Sequence, residues 1–128
     1  MLIGEPGVGK TSLILKWVYN EWKETSINFL EHDCAQKRFL MDDNQLDVQI
    51  FDTFGLQRLR KVNINPFQHI QGFLVCFDIN KHQTFDNVPK LIQEIQRYGR
   101  DDCVVVFVGT KSDLDHEVSL EEAQKMAS

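Results

Sequence analysis

A chain of 128 residues, 42% hydrophobic and 26% charged, has the size of one domain with a real core and argues against a disordered polymer. A formal charge of −5 argues against non-specific binding to nucleic-acid backbones, so no nucleic-acid partner is expected. The longest apolar runs, around Phe73–Phe77 and Val104–Val108, are far short of a membrane span, and Gly, Glu and Pro interrupt any secretory layout at the amino end.

Residues 10–21 read as a helix that follows a glycine loop. Gln36–Met41 and Leu46–Phe51 read as two strands joined by Asp42-Asp43-Asn44, with Leu46, Val48 and Ile50 on one face. Gly72–Phe77 and Cys103–Val108 are short continuous apolar runs, the pattern of strands buried on both faces of a parallel sheet. Between them, Val88, Leu91, Ile92, Ile95 and Tyr98 mark one helical stripe, with Asn87 as its N-cap, Pro89 in its first turn and Gly99 at its stop. Ser119 and Glu122 have capping-box spacing and open a last helix. Phe39, Phe51, Phe73, Phe77 and Phe107 read as core. Cys34, Cys76 and Cys103 form an odd set without CxxC spacing and read as reduced thiols, which suits a cytoplasmic chain. Alternating helices and strands with one hairpin give a three-layer α/β fold.

The chemistry is concentrated in Gly4-Glu5-Pro6-Gly7-Val8-Gly9-Lys10-Thr11, which fits G-x-x-x-x-G-K-[ST] at every fixed position. Glycines let the backbone close around a polyphosphate with several N–H groups inward, and the helix start adds its positive end. Lys10 is placed to reach the terminal phosphates and the Thr11 hydroxyl to ligate Mg²⁺. The bland alternative is a glycine-rich turn before a helix, but the apolar stub Met1-Leu2-Ile3 before and the apolar helix after favour the phosphate loop.

Two further motifs follow strands, where open α/β sheets bind ligands. Leu46–Phe51 runs into Asp52-Thr53-Phe54-Gly55, and Phe107-Val108-Gly109 into Thr110-Lys111-Ser112-Asp113. Asp52 can hold Mg²⁺ through a water, and the Gly55 N–H can approach a γ-phosphate. Asp113 can accept from guanine N1–H and its 2-amino group, which adenine does not offer. Either aspartate alone would read as a turn cap; the pair, in order after a phosphate loop, does not.

GVGKTSLIL (7–15), VQIFDTFG (48–55), GFLVCFDIN (72–80), TFDNVPKLIQEIQRYG (84–99) and VFVGTKSDL (106–114) together resemble the Ras-like small GTPases, the Rab branch most closely. The resemblance implies a P-loop NTPase fold of the Ras-like G-domain type: a mainly parallel sheet with one antiparallel edge and helices on both faces, spanning 1–128 as a single domain. It implies GTP or GDP with Mg²⁺, bound by Gly4, Glu5, Gly7, Val8, Gly9, Lys10, Thr11, Ser12, Gly55, Thr110, Lys111, Asp113 and Leu114, with Thr11 and Asp52 at the metal. It also implies effector or regulator proteins meeting residues 22–35 and 54–70, and a cytoplasmic or vesicle-peripheral setting in membrane traffic.

Against that pattern, the departures fall on the chemistry. Phe29 stands at the position of the switch-one threonine, Thr25 four residues early, and Leu30-Glu31-His32-Asp33 replaces a glycine-rich signature. Leu56 stands where a glutamine should orient the attacking water, and Phe54 crowds the γ-phosphate position. Asn65-Pro66-Phe67 should break or restart the helix of switch two. Thr110 replaces an asparagine and gives up hydrogen bonds worth about 0.5–1.5 kcal/mol each. No catalytic residue is therefore intact, and hydrolysis is expected to be very slow or absent.

Other groups read plainly. His32, His69, His82 and His116 show no ligand spacing, and His32-Asp33-Cys34 is half a metal corner without a second half. Arg58-Leu59-Arg60-Lys61 is a solvated face, with an acidic-partner contact as the alternative. Trp17 and Trp22 are expected to pack, with Trp22 as a possible partner anchor. Two rivals stand beside the impaired switch: a hydrolysis-dead scaffold, and a P-loop ATPase or kinase, against which Asp113 argues. The ending Lys125-Met126-Ala127-Ser128 carries no lipid-anchor cysteine. The chain is expected to be incomplete at both ends, lacking the family's last strand and helix, so that another domain or subunit covers the sheet.

Overall fold

A computed structural model of the chain describes residues 1–19, 34–52 and 66–128. Strand β1 (Leu2–Ile3) leads through the glycine loop into helix α1 (Lys10–Tyr19). Strands β2 (Cys34–Met41) and β3 (Asn44–Phe51) form an antiparallel hairpin in register from Cys34↔Phe51 to Met41↔Asn44. The connection is tighter than the expected three residues. Asp42 and Asp43 alone make it, with φ of 50° and 63°, the paired positive values of a type I′ turn that aspartate tolerates.

A 3-10 turn (Pro66–His69) precedes β4 (Gly72–Asp78), so a helical turn begins at the proline; the segment before it, where the break was expected, lies outside the described residues. A short helix α2 (His82–Asp86) then runs directly into α3 (Val88–Tyr98), followed by β5 (Val104–Thr110) and α4 (Leu120–Ala127). Strands β1, β4 and β5 pair in parallel in the order β1-β4-β5. The hairpin joins this sheet through a parallel bridge between Leu2 and Asp52. The expected mainly parallel sheet with one antiparallel edge is thus present.

Period-2 alternation sorts the side chains between two layers. Ile3, Phe73, Val75 and Phe77 face α2, α3 and α4 and pack with Phe85, Val88, Ile95 and Val118. Phe67 and Phe77 make edge-on ring contacts with Phe73 and Phe85, at 5.3 and 5.1 Å between centroids. On the opposite face, Leu2 and Cys76 meet Val8, Ile14 and Ala35, with Leu13, Ile50 and Val108 beside them. Phe51 and Phe107 join the first core as expected; the side chain of Phe39 lies outside the described residues.

The expectation that β4 and β5 are buried on both faces is corrected. Val104 is 62% and Val106 48% exposed, and Leu74 is also exposed. On one face of β5 Val105 and Phe107 are half-buried against the helix-side core, while on the other Val108 packs against the cluster that holds Ile14 of α1. The uncovered part forms an apolar groove of about 1090 Å³ between Leu13, Trp17, Val48, Leu74, Val104 and Val106.

Two helix boundaries arise differently from the sequence reading. Asn87 does precede α3, but its side chain makes no capping bond and instead donates to Glu5 Oε1 of the glycine loop. Gly99 stops α3 with φ −80°, so it is needed for clearance: a Cβ there would lie 2.5 Å from the Ile95 carbonyl oxygen. The capping box forms as expected, Ser119 Oγ accepting from Glu122 N–H at 3.2 Å and Glu122 Oε2 from Ser119 N–H at 2.9 Å.

Candidate functional site

The carboxyl ends of β1, β3, β4 and β5 converge on the glycine loop. Gly4 follows β1 where the chain passes so close to β4 that a Cβ would lie 2.4 Å from the Cys76 carbonyl oxygen. Gly7 has a φ of 82° and open space where a Cβ would project, as a loop wrapping a ligand requires. Lys10 opens α1 and is buried. Its ammonium donates to the carbonyls of Gly4 at 2.9 Å and Glu5 at 2.8 Å, and burial lowers its pKa against the opposing pull of Asp52, Cys76 and Glu5.

Thr11, in the first turn of α1, donates to Asp52 Oδ2 at 2.6 Å. Asp52 is itself buried at the end of β3. A hydroxyl and a carboxylate held together beside a buried lysine form a hard-oxygen set that suits Mg²⁺, with Thr11 as the residue that would ligate the ion and Asp52 the one that would hold it through a water. The open glycine cradle and this oxygen pair fit a Mg²⁺-polyphosphate.

The Thr110-Lys111 corner is tied to the same loop. Thr110 is buried, with its hydroxyl 3.0 Å from the Phe77 carbonyl and close to the Val8 carbonyl. Its polar atom is therefore turned inward, toward the phosphate loop. Lys111, at φ 61°, donates to the Gly7 carbonyl at 2.9 Å and lies 2.8 Å from Asp78 Oδ2. Asp113 and Leu114 are exposed beyond it, in a turn closed by Leu114 N–H to the Lys111 carbonyl at 3.0 Å.

The structure thus brings together Gly4, Glu5, Gly7, Val8, Gly9, Lys10, Thr11, Asp52, Thr110 and Lys111, with Ser12 half-buried on the same first turn. Gly55, Leu56, Phe54, Phe29, Thr25, Trp22, His32 and the run 58–61 lie outside the described residues. Two neighbours escaped the motif reading, Asp78 and Asn87. A carboxylate closing an otherwise apolar strand was the available signal for the first; nothing in the pattern announced the second. Trp17 is 39% exposed, with the Lys37 ammonium 4.8 Å above its ring, so it packs only in part. Cys76 and Cys103 are unpaired thiols, and burial pushes Cys76 up to about 11, which leaves it inert. Among the described residues no group of three or more His, Cys, Asp or Glu side chains could hold a metal ion.

The family model of the Ras family matches residues 1–128. The chain belongs to the Ras family. RabG2 of Dictyostelium discoideum is 39% identical over 115 residues, covering 90% of this chain and 58% of that protein. The GTP-binding protein ypt3 of Schizosaccharomyces pombe is 34% identical over 130 residues, covering 100% and 61%. Rab11B of Nicotiana tabacum is 34% identical over 129 residues, covering 99% and 59%. These relatives put the chain in the Rab-like branch, and it spans about 60% of their length. No helix among the described residues is long and apolar enough to cross a membrane.

Proposed function

We propose that this chain is the guanine-nucleotide-binding part of a Rab-like small GTPase that binds GTP or GDP with Mg²⁺. It acts in vesicle traffic through state-dependent contact with effector and regulator proteins, as a slow or impaired switch. The observation that carries the reading is the convergence on one glycine loop of the Thr11–Asp52 pair, Lys10 and the Thr110-Lys111 corner.

In this reading Lys10 holds the terminal phosphates and Thr11 the metal, with Asp52 behind it; Asp113 selects guanine and Leu114 flanks the base. Bound Mg²⁺ supplies charge neutralisation at the phosphates. Hydrolysis is slow because Leu56 cannot orient a water and Phe29 cannot ligate the metal. Residues 22–35 and 54–70 meet the partners, and another domain or subunit covers the apolar groove over Leu74, Val104 and Val106.

Equilibrium titration of the purified chain with GDP, GTP and ATP, with and without Mg²⁺, tests it. The expected result is tight GDP and GTP binding that weakens on chelation, with ATP at least tenfold weaker. Equal affinity for ATP would transfer the site to the ATPase reading.

A further inference from the structure

Asp78 closes β4 and is 1% exposed, the most deeply buried carboxylate near the site. Its Oδ1 accepts from the Asn80 N–H at 2.9 Å, which orients the side chain, and its main-chain N–H donates to Thr84 Oγ at 2.9 Å, which anchors its backbone. Oδ2 makes no aligned hydrogen bond and is met instead by the Lys111 ammonium at 2.8 Å. Burial pushes the Asp78 pKa up, yet Lys111 and the Asn80 N–H together bring it below the usual carboxylate value. A charge desolvated this far is stable only while its counter-ion stays in place.

The same ammonium donates to the Gly7 carbonyl at 2.9 Å. Lys111 therefore bridges the two loops, and of its two partners only Asp78 is charged and buried. The β4–β5 register sets Asp78 directly beside Thr110, so the carboxylate reaches the following residue without any loop between them. We propose that Asp78 is a positioning residue for nucleotide retention: it fixes Lys111 across the base-side motif and the phosphate loop, so that the two grips on the nucleotide loosen only together. This rests on the guanine-nucleotide reading above. Without Asp78, the flexible lysine stem leaves the Gly7 carbonyl for solvent, and the phosphate loop gains freedom it lacks now.

The test compares wild type, Asp78→Asn, Lys111→Met and the double variant, each loaded with fluorescent GDP and chased with excess GDP in Mg²⁺. Each single change is expected to speed dissociation about tenfold, the size of one charge-assisted contact. The double variant is expected to be no faster than Lys111→Met alone, because Asp78 acts through that lysine. A merely structural carboxylate would lower the melting temperature while multiplying the dissociation rate equally in both backgrounds; that result, or an unchanged rate in Asp78→Asn, overturns the proposal.

A second arm uses no nucleotide. Hydrogen exchange at the amides of Gly4, Glu5, Gly7, Val8 and Gly9 is expected to rise in Asp78→Asn while that of 120–127 stays the same. If wild type fails to retain GDP, the guanine-nucleotide reading fails, and unchanged exchange at those amides separately overturns the positioning role. Asp78→Ser, whose hydroxyl can still accept from Asn80, repeats both arms if Asp78→Asn does not fold.

Discussion

The Thr11 hydroxyl donates to Asp52 Oδ2 across 2.6 Å, joining the first turn of α1 to the carboxyl end of β3, 41 residues later. Two polar groups from separate elements meet there beside a buried lysine, and the metal chemistry of the site is proposed to start from that pair.

Replacing Thr11 by alanine removes the hydroxyl and leaves the Asp52 carboxylate to other partners. Stability is expected to fall by about 1 kcal/mol. The larger effect is on metal dependence: the ratio of GDP affinities with Mg²⁺ and with chelator should drop at least tenfold. Paired titrations on wild type and Thr11→Ala check this, and an unchanged ratio would remove Thr11 from the metal site.

Thr110 gives a prediction about base selection. Its hydroxyl is spent on the Val8 and Phe77 carbonyls, so it ties the loops and offers little to a base. Thr110→Val removes the one hydroxyl proton that the two carbonyls share and is expected to cost about 1–3 kcal/mol in denaturant unfolding. Thr110→Asn adds an amide that can reach the base, and the preference for GTP over ATP should rise several-fold in competition binding.

The motif-bearing parts were legible because their chemistry is local. The phosphate loop, the Asp42-Asp43 turn and the Ser119–Glu122 box each declare themselves within eight residues. Helix α2 did not, because five residues are too few for a periodic signal; Thr84, whose hydroxyl bonds the Asp78 and Lys81 carbonyls, and buried Phe85 hold it by tertiary contact. The exposure of Val104 and Val106 was hidden for another reason. An unbroken Val-Val-Val-Phe-Val run reads as doubly buried whether or not anything packs on its second face. Asn87 reads as a cap from its position, and only the approach of Glu5 shows where its amide goes.

A pH prediction follows from the link between α2 and α4. His82 lies 3.1 Å from Asp86 and 3.3 Å from Glu122, its N–H of the main chain donates to Glu117 Oε2 at 2.9 Å, and the two carboxylates raise its pKa. The Ser119 N–H and hydroxyl, with His82, hold Glu122 down to about 2. A raised histidine contributes fully below its unfolded value of 6.5 and loses that contribution as pH rises through the folded value. A depressed glutamate contributes above 4.5 and loses it as pH falls toward 2. The clasp is therefore strongest between those limits. The melting-temperature difference between wild type and His82→Ala should be larger at pH 5.5 than at pH 8, and equal differences would deny it.

Leu56 is proposed to limit hydrolysis. Leu56→Gln restores a side chain that can orient water, and single-turnover hydrolysis of GTP should accelerate at least tenfold. No gain would move the defect elsewhere, with Phe29 and Phe54 next to be replaced.

The central claim is that the loop from Gly4 to Thr11 holds a guanine nucleotide. Its most direct test is the identity of the nucleotide released by acid from the freshly purified chain and separated by ion-exchange chromatography. GDP or GTP near one equivalent per chain is the expected result. Adenine nucleotide in that place, or none at all, would contradict the account.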